Sequence, residues 1–188
     1  RNRWLSAEEA RRLVAAAGTD HLRLFILLML ATGARPGAIL ELRWSQVDLA
    51  GGLVHLDPPG RPETGKGRAS VPLADGTLRA ALGQARQLAE TDHVIEHAAA
   101  PVRSVKTGFR TALHRAGLQP GEVTPNTLRH TAAMWMAQPG TPPWEIAQML
   151  GHKSTRMVER HYARHHPDHL RRAREVLGAV MDGHGLVP

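Results

Sequence analysis

Apolar residues recur at helical spacing along most of the chain and alternate in only one short region. The pattern predicts helices gathered around one small sheet. Ser6, with Glu9 three positions on, makes a capping box that opens a helix to about Ala17, and Gly18 ends it. Asp20 caps a second helix in which Leu24, Phe25, Leu27, Leu28 and Leu30 occupy nearly every face, so this helix belongs at the centre of a core. It stops at Gly33, Arg35 follows in a sharp connection, and Pro36 opens a short helix through Leu42. Trp44 to Leu49, Leu53 to Leu56 and Arg68 to Leu73 read as strands. The turn at Gly51-Gly52 joins the first two, and a Pro- and Gly-rich loop from Asp57 to Gly67, which contains Lys66, joins the second and third. Pro72 marks the third as an edge strand or one that ends early.

Asp75 or Thr77 starts a helix to about Glu90, and the chain breaks from His97 to Pro101. Arg103 to Ala116 is amphipathic, with Val105, Phe109, Ala112 and Leu113 on one side and Lys106, Arg110, His114 and Arg115 on the other. Thr124 or Asn126 then caps a helix with Pro125 in its first turn, apolar positions at Leu128, Thr131, Ala132, Trp135 and Met136, and Arg129 near its amino end. Pro139-Gly140 ends it. Pro142-Pro143 opens the next, which carries Trp144, Ala147, Gln148 and Leu150 to a stop at Gly151 and leaves His152 just past a helix end. A short helix from about Ser154 through Val158 puts Tyr162 at or beyond its carboxy-terminal end, where a side chain can reach and move. Leu170, Ala173, Val176, Leu177 and Val180 form one stripe of a last helix, Asp168 to Met181. The predicted class is α+β, mostly α-helical, with a small antiparallel three-stranded sheet.

A chain of 188 residues is long enough for one full core. It contains no cysteine, which excludes disulfides and thiolate chemistry and suits a reducing cytoplasm. Net charge is +7, and only three of the 24 basic residues are Lys. That balance favours a polyanionic partner gripped by Arg forks, although the Arg excess equally fits a GC-rich genome. The longest apolar run, Leu24 to Ala31, is too short to cross a bilayer, so neither a membrane span nor a targeting segment is expected. The His-rich stretch from Arg160 to His169 lacks a spacing that converges ligands and has no Cys beside it; no metal and no cofactor is expected.

Three pieces carry a more specific signal: Thr124-Pro125-Asn126-Thr127-Leu128-Arg129-His130, then Leu150-Gly151-His152, then Arg160-His161-Tyr162. In this order they resemble the carboxy-terminal boxes of the tyrosine site-specific recombinases, the phage-integrase family. Ala31-Thr32-Gly33-Ala34-Arg35, followed by Ile39 to Trp44, resembles the first box of that family. The resemblance runs from the helix after Trp4 to about Leu177. It implies the recombinase catalytic-domain fold over residues 1–167, a carboxy-terminal helix and tail over 168–188, and a bacterial or phage source. The amino-terminal domain with which full-length members clamp DNA has no counterpart in this stretch, as expected of an excised domain.

The resemblance also implies a chemistry. Tyr162 attacks a scissile phosphate of double-stranded DNA, leaving a 3′-phosphotyrosyl link and a free 5′-hydroxyl, and a second 5′-hydroxyl later reverses the step. Arg35 and Arg129 clamp the nonbridging oxygens, Lys66 protonates the leaving oxygen and His152 donates to the phosphate. With Asn126 these make the expected catalytic set. The expected DNA contacts are Arg35, Lys66, Arg129, Lys106 and Arg110, the last two alternatively lying on a solvated face. The isolated domain is expected to be a monomer that joins a tetramer on paired DNA sites through its tail, unless the tail packs on its own core.

Two positions depart from the family pattern. An acidic residue commonly stands three places after the first Arg, where this chain has Ala38; Glu41, one turn on, is the candidate to hold Arg35 instead. The more consequential departure is Asn126, because most members place His there. An amide donates a hydrogen bond but cannot act as a general base. The chain is therefore either a working recombinase or a DNA-binding relative with strand transfer reduced or lost. A type IB topoisomerase shares the nucleophile chemistry and would relax supercoils without paired sites.

Overall fold

The structure is a computed structural model that describes residues 3–58, 60, 67–73, 76–162 and 171–183. Helix α1 (Ala7–Ala16) starts with the predicted capping box: the Ser6 hydroxyl accepts from the Glu9 amide, and the Glu9 carboxylate accepts from the Ser6 amide. Helix α2 (Asp20–Thr32) has Thr19 as its cap residue, one position before the Asp20 predicted from sequence. Phe25, Ile26, Leu28 and Met29 are completely buried, each stabilising the fold by roughly 1.5–3 kcal/mol. Around α2 lie α1, α3 (Pro36–Leu40), α4 (Thr77–Gln87) and α6 (Pro125–Ala137), so the apolar-all-round helix does occupy the centre.

Strands β1 (Val47–Asp48), β2 (Leu53–His55) and β3 (Ser70–Pro72) form the antiparallel sheet in the order β1-β2-β3. Val54 faces Val47 on one side and Val71 on the other. Pro72 sits opposite Leu53 on the outer strand, where a missing amide costs little. The first predicted strand begins instead as a 3-10 turn, Trp44–Gln46, because the Gln46 side chain accepts from the Arg43 amide and donates to the His55 carbonyl. The predicted break at 97–101 contains a hairpin, β4 (Glu96–His97) with β5 (Ala100–Pro101). Its turn residues Ala98 and Ala99 both have left-handed φ, 51° and 55°. Asn-Gly would have announced such a turn; Ala-Ala gives no such signal.

Helix α5 (Lys106–Arg115) packs on α1. The amino-terminal segment is strapped to α6: the Leu5 amide donates to Thr131 Oγ1 at 2.9 Å, and Trp135 Nε1 donates to the Leu5 carbonyl at 3.2 Å. Helices α7 (Pro143–Leu150) and α8 (Arg156–Tyr162) close against α6 around a second apolar cluster containing Ala133, Met134, Ile146, Leu150, Val158 and Tyr162. Helix α8 starts and ends later than predicted. Val158 and Tyr162 are one turn apart, and both turn into that cluster, so packing extends the helix through the tyrosine. Tyr162 is thus on the last turn and only 7% exposed, rather than on a mobile extension. Helix α9 (Arg171–Gly183) leaves Val176, Leu177 and Val180 about half exposed or more. Among the described residues no helix is long and apolar enough to cross a membrane.

Candidate active site

Two helix ends meet at Arg129. Helix α2 ends at Gly33 and α7 at Gly151, both left-handed glycines with φ of 59° and 66°. Helix ends leave carbonyls without intrahelical partners and carry partial negative charge. Arg129 supplies donors to both: Nη1 donates to the Gly33 carbonyl at 2.7 Å and Nη2 to the Leu150 carbonyl at 2.9 Å. A side chain on Gly33 would strike Leu150 Cδ2 at 2.6 Å, so the two helix ends are in direct contact beneath the guanidinium.

His152 follows the second end. Its amide donates to the Ala147 carbonyl at 2.8 Å, turning the chain so that Nε2 lies 2.8 Å from Arg129 Nη2. A guanidinium has no acceptor, so Nε2 must accept, which puts the proton of the neutral ring on Nδ1. Nδ1 is buried with no hydrogen-bond partner among the described residues. Burial, then the charges of Arg129 and Arg35, push the His152 pKa down to about 4, so the ring is neutral at physiological pH. Burial and the nearby Arg35 charge lower the Arg129 pKa to about 10, which leaves the guanidinium charged. The site is therefore strongly positive and poised for an anion with several acceptor oxygens.

Arg35 stands at the corner between α2 and α3, extended at φ −73° and ψ 145°, and its Nη1 donates to the Gly67 carbonyl at 2.7 Å. The partner found for Glu41 is Arg68, next to Gly67, so Glu41 braces the same loop end that Arg35 grips. Lys66 lies outside the described residues. Its neighbour Gly67 is inside the site, between Arg35 and the backbone of Gly151.

Tyr162 reaches α6 from the end of α8. Its hydroxyl lies 2.7 Å from Nδ1 of His130, the residue after Arg129. Burial raises the Tyr162 pKa, while the charge of Arg129 acts in the opposite direction. Asn126 is exposed in the first turn of α6. Arg35, Arg129 and His152 thus come together, with Tyr162 within electrostatic reach of Arg129. Lys106 and Arg110 occupy the exposed face of α5, and none of the interactions just described reaches them. His130 was not among the expected site residues, although its spacing was visible: Asn126, Arg129 and His130 at i, i+3 and i+4 share one helix face. Among the described residues there is no group of three or more His, Cys, Asp or Glu able to hold a metal, and His165, His166 and His169 lie outside them.

A sequence model of the phage integrase family matches residues 3–169, and the chain belongs to that family, the tyrosine recombinases. It is 30% identical to the integrase of Salmonella phage P22 over 180 residues, covering 90% of this chain and 46% of the phage protein. It is 32% identical to a shufflon-specific DNA recombinase of Escherichia coli over 167 residues, covering 86% of this chain and 40% of that one. Among solved structures, the catalytic domain of bacteriophage HP1 integrase superposes with a TM-score of 0.67 at 25% identity, covering 92% of this chain and 93% of that domain. The chain spans less than half the length of the two sequence relatives.

Proposed function

We propose that this chain is the catalytic domain of a site-specific DNA recombinase, acting on double-stranded DNA of a phage or mobile element in a bacterial cytoplasm. Residues 1–167 form the catalytic unit and 168–188 an assembly tail. The observation that carries this reading is the convergence of Arg129, His152 and Arg35 in one positive cluster, with the chain's one tyrosine beside it.

In this mechanism the scissile phosphate lies over Arg35 and Arg129. Both guanidiniums are pre-anchored through backbone carbonyls, so little reorganisation is needed as charge grows on the nonbridging oxygens. Tyr162 Oη bonds to phosphorus and the 5′-oxygen leaves, protonated by Lys66 in the role the family resemblance gives it. The phosphodiester energy stays in the tyrosyl link, so rejoining needs no nucleotide. A phosphate that takes over Nη2 of Arg129 frees His152 Nε2, and the ring then donates to the phosphate from its other neutral tautomer. Asn126, exposed at the amino end of α6, adds an amide donor.

The test is a nicked duplex that loses its 5′-hydroxyl strand on cleavage and so traps the covalent adduct. Denaturing electrophoresis of labelled DNA reads the adduct, and peptide mapping places it on Tyr162. A chain that binds DNA but never forms the adduct is the inactive relative; one that relaxes supercoiled plasmid without paired sites is a topoisomerase.

A further inference from the structure

On the recombinase reading, Tyr162 must lose a proton as its oxygen attacks, and Asn126, standing where the family commonly has His, cannot take it. A different group is in place. His130 lies one helical turn beyond Asn126 on the same face of α6, and its Nδ1 is 2.7 Å from Tyr162 Oη. The ring centroids are 6.3 Å apart and tilted by 47°, so the two rings meet through nitrogen and hydroxyl rather than by stacking. Tyr162 is buried whereas His130 is exposed, so a proton leaving the phenol has a path through the imidazole to solvent.

We propose that His130 is the proton acceptor for the Tyr162 nucleophile, supplying from the next turn of α6 what Asn126 cannot. The proposal rests on the recombinase reading and adds a residue to it. With the neutral ring protonated on Nε2, the lone pair on Nδ1 accepts the Tyr162 hydroxyl. As Oη bonds to phosphorus, the proton passes to Nδ1 and His130 becomes imidazolium. The bond from phosphorus to the 5′-oxygen breaks, and that oxygen takes its proton from the acid on the opposite side. In rejoining, the incoming 5′-hydroxyl returns a proton to that acid and bonds to phosphorus, while the tyrosine oxygen leaves with the proton from His130. Protons and charge balance over the cycle without a further reactant.

Two variants separate proton transfer from mere positioning. His130→Gln keeps an acceptor for the phenol but cannot take its proton, and His130→Ala removes the ring at an exposed place on α6. Because the target sequence is unknown, the substrate is first selected: a nicked duplex with a randomised central region is incubated with the wild-type chain, and the covalently attached DNA is sequenced. On the selected duplex, single-turnover adduct formation should fall by about 10²–10⁴-fold in both variants, with DNA affinity unchanged. Added imidazole should restore the Ala variant, faster for more basic imidazoles. Undiminished adduct formation in His130→Gln overturns the proposal, assigning positioning alone if the Ala variant is slow and unresponsive to imidazole. A faster Gln variant also overturns it, by showing that the contact restrains the nucleophile.

A second measurement needs no DNA. The chain has one tyrosine, so near-ultraviolet phenolate absorbance reports Tyr162 alone. Its titration should shift between the wild type and His130→Gln; superimposable curves would mean that the ring and the phenol do not interact in solution. No attached DNA from the wild type would overturn the recombinase reading and this proposal with it, whereas wild-type attachment with a fully active Gln variant overturns this proposal alone.

Discussion

Gly151 and Gly67 meet backbone to backbone: a methyl group on Gly151 would stand 2.9 Å from the Gly67 carbonyl oxygen, and one on Gly67 would stand 2.5 Å from the Gly151 oxygen. The same Gly67 carbonyl accepts from Arg35. The end of the loop that carries Lys66 is therefore seated against the end of α7, and no side chain fits between them. Gly151 is doubly constrained, since its φ of 66° also favours glycine.

Gly151→Ala and Gly67→Ala should both consequently cost stability, the first through dihedral and contact together and the second through the tighter contact. The left-handed conformation alone costs roughly 1–2 kcal/mol with a Cβ, and the backbone contact raises the expected loss to roughly 2–3 kcal/mol. Gly67→Ala has no such dihedral penalty, but its Cβ would press on the Gly151 backbone oxygen at 2.5 Å, so it should lose roughly 1–3 kcal/mol and displace the carbonyl that anchors Arg35. Urea unfolding beside adduct trapping reads both. Wild-type adduct formation in Gly67→Ala would show that the seat is not needed for chemistry.

Tyr162→Phe should abolish the covalent adduct while leaving DNA affinity nearly unchanged. The ring stays in its apolar cluster and His130, the hydroxyl's partner among the described residues, is exposed, so the stability change should be within about 1 kcal/mol. Persistent adduct in the Phe variant would place the nucleophile elsewhere.

These two cases show what the sequence made legible. Caps and stops were readable because each has a local cause: Ser6 with Glu9, Pro125 in a first turn, Gly33 and Gly151 at helix ends. The ordered boxes located Arg35, Arg129, His152 and Tyr162. What was missed depended on distant partners. Tyr162 is buried because α6, α7 and α8 enclose it, and the contact with His130 spans 32 positions. Glu41 was expected at Arg35, but the folded chain brings Arg68 to it across 27 positions. The Ala98-Ala99 turn was invisible because neither residue prefers the conformation it adopts.

Asn126→His tests whether the first turn of α6 lacks a base. With His130 already 2.7 Å from the phenol, the new imidazole should raise the cleavage rate by less than about tenfold, below what a first general base provides. In a His130→Gln background the same change should restore a larger share of the lost rate. A gain of about 10²-fold or more in the otherwise wild-type chain would mean that proton transfer was the deficit and that His130 was not meeting it.

Stability should fall as the medium is acidified through the range set by His152. Its pKa is about 4 when folded against an ordinary value of 6.5, so between those values the unfolded chain binds the proton and the folded chain resists it. The contribution is present above pH 6.5 and is lost progressively toward pH 4. The half-exposed ring and solvent screening hold it to on the order of 1–2 kcal/mol. His21, lowered chiefly by burial and then by His97, acts in the same direction. Urea midpoints from pH 7 to pH 4 for the wild type and His152→Gln should converge less steeply for the variant; parallel curves would remove His152 as the source.

The last expectation concerns α9. An apolar stripe normally serves its own core, but Val176, Leu177 and Val180 are 54%, 63% and 48% exposed, and the buried clusters around α2 and around α6 to α8 are filled by other residues. Among the described residues, α9 therefore contributes little buried apolar area to this fold. Deletion from Asp168 onward should leave the urea midpoint within the equivalent of about 1 kcal/mol and preserve binding to a single DNA site. Assembly of two such sites into a tetrameric complex should be lost, because an exposed stripe of this kind is best covered by another subunit. Replacing Val176 and Leu177 together with Ser should reproduce the defect without shortening the chain. Light scattering of the DNA-bound species gives the stoichiometry, and gel shifts on one site and on paired sites give the affinities. If the truncated chain unfolds, α9 belongs to its own core; if paired sites still assemble, the subunits meet through another face.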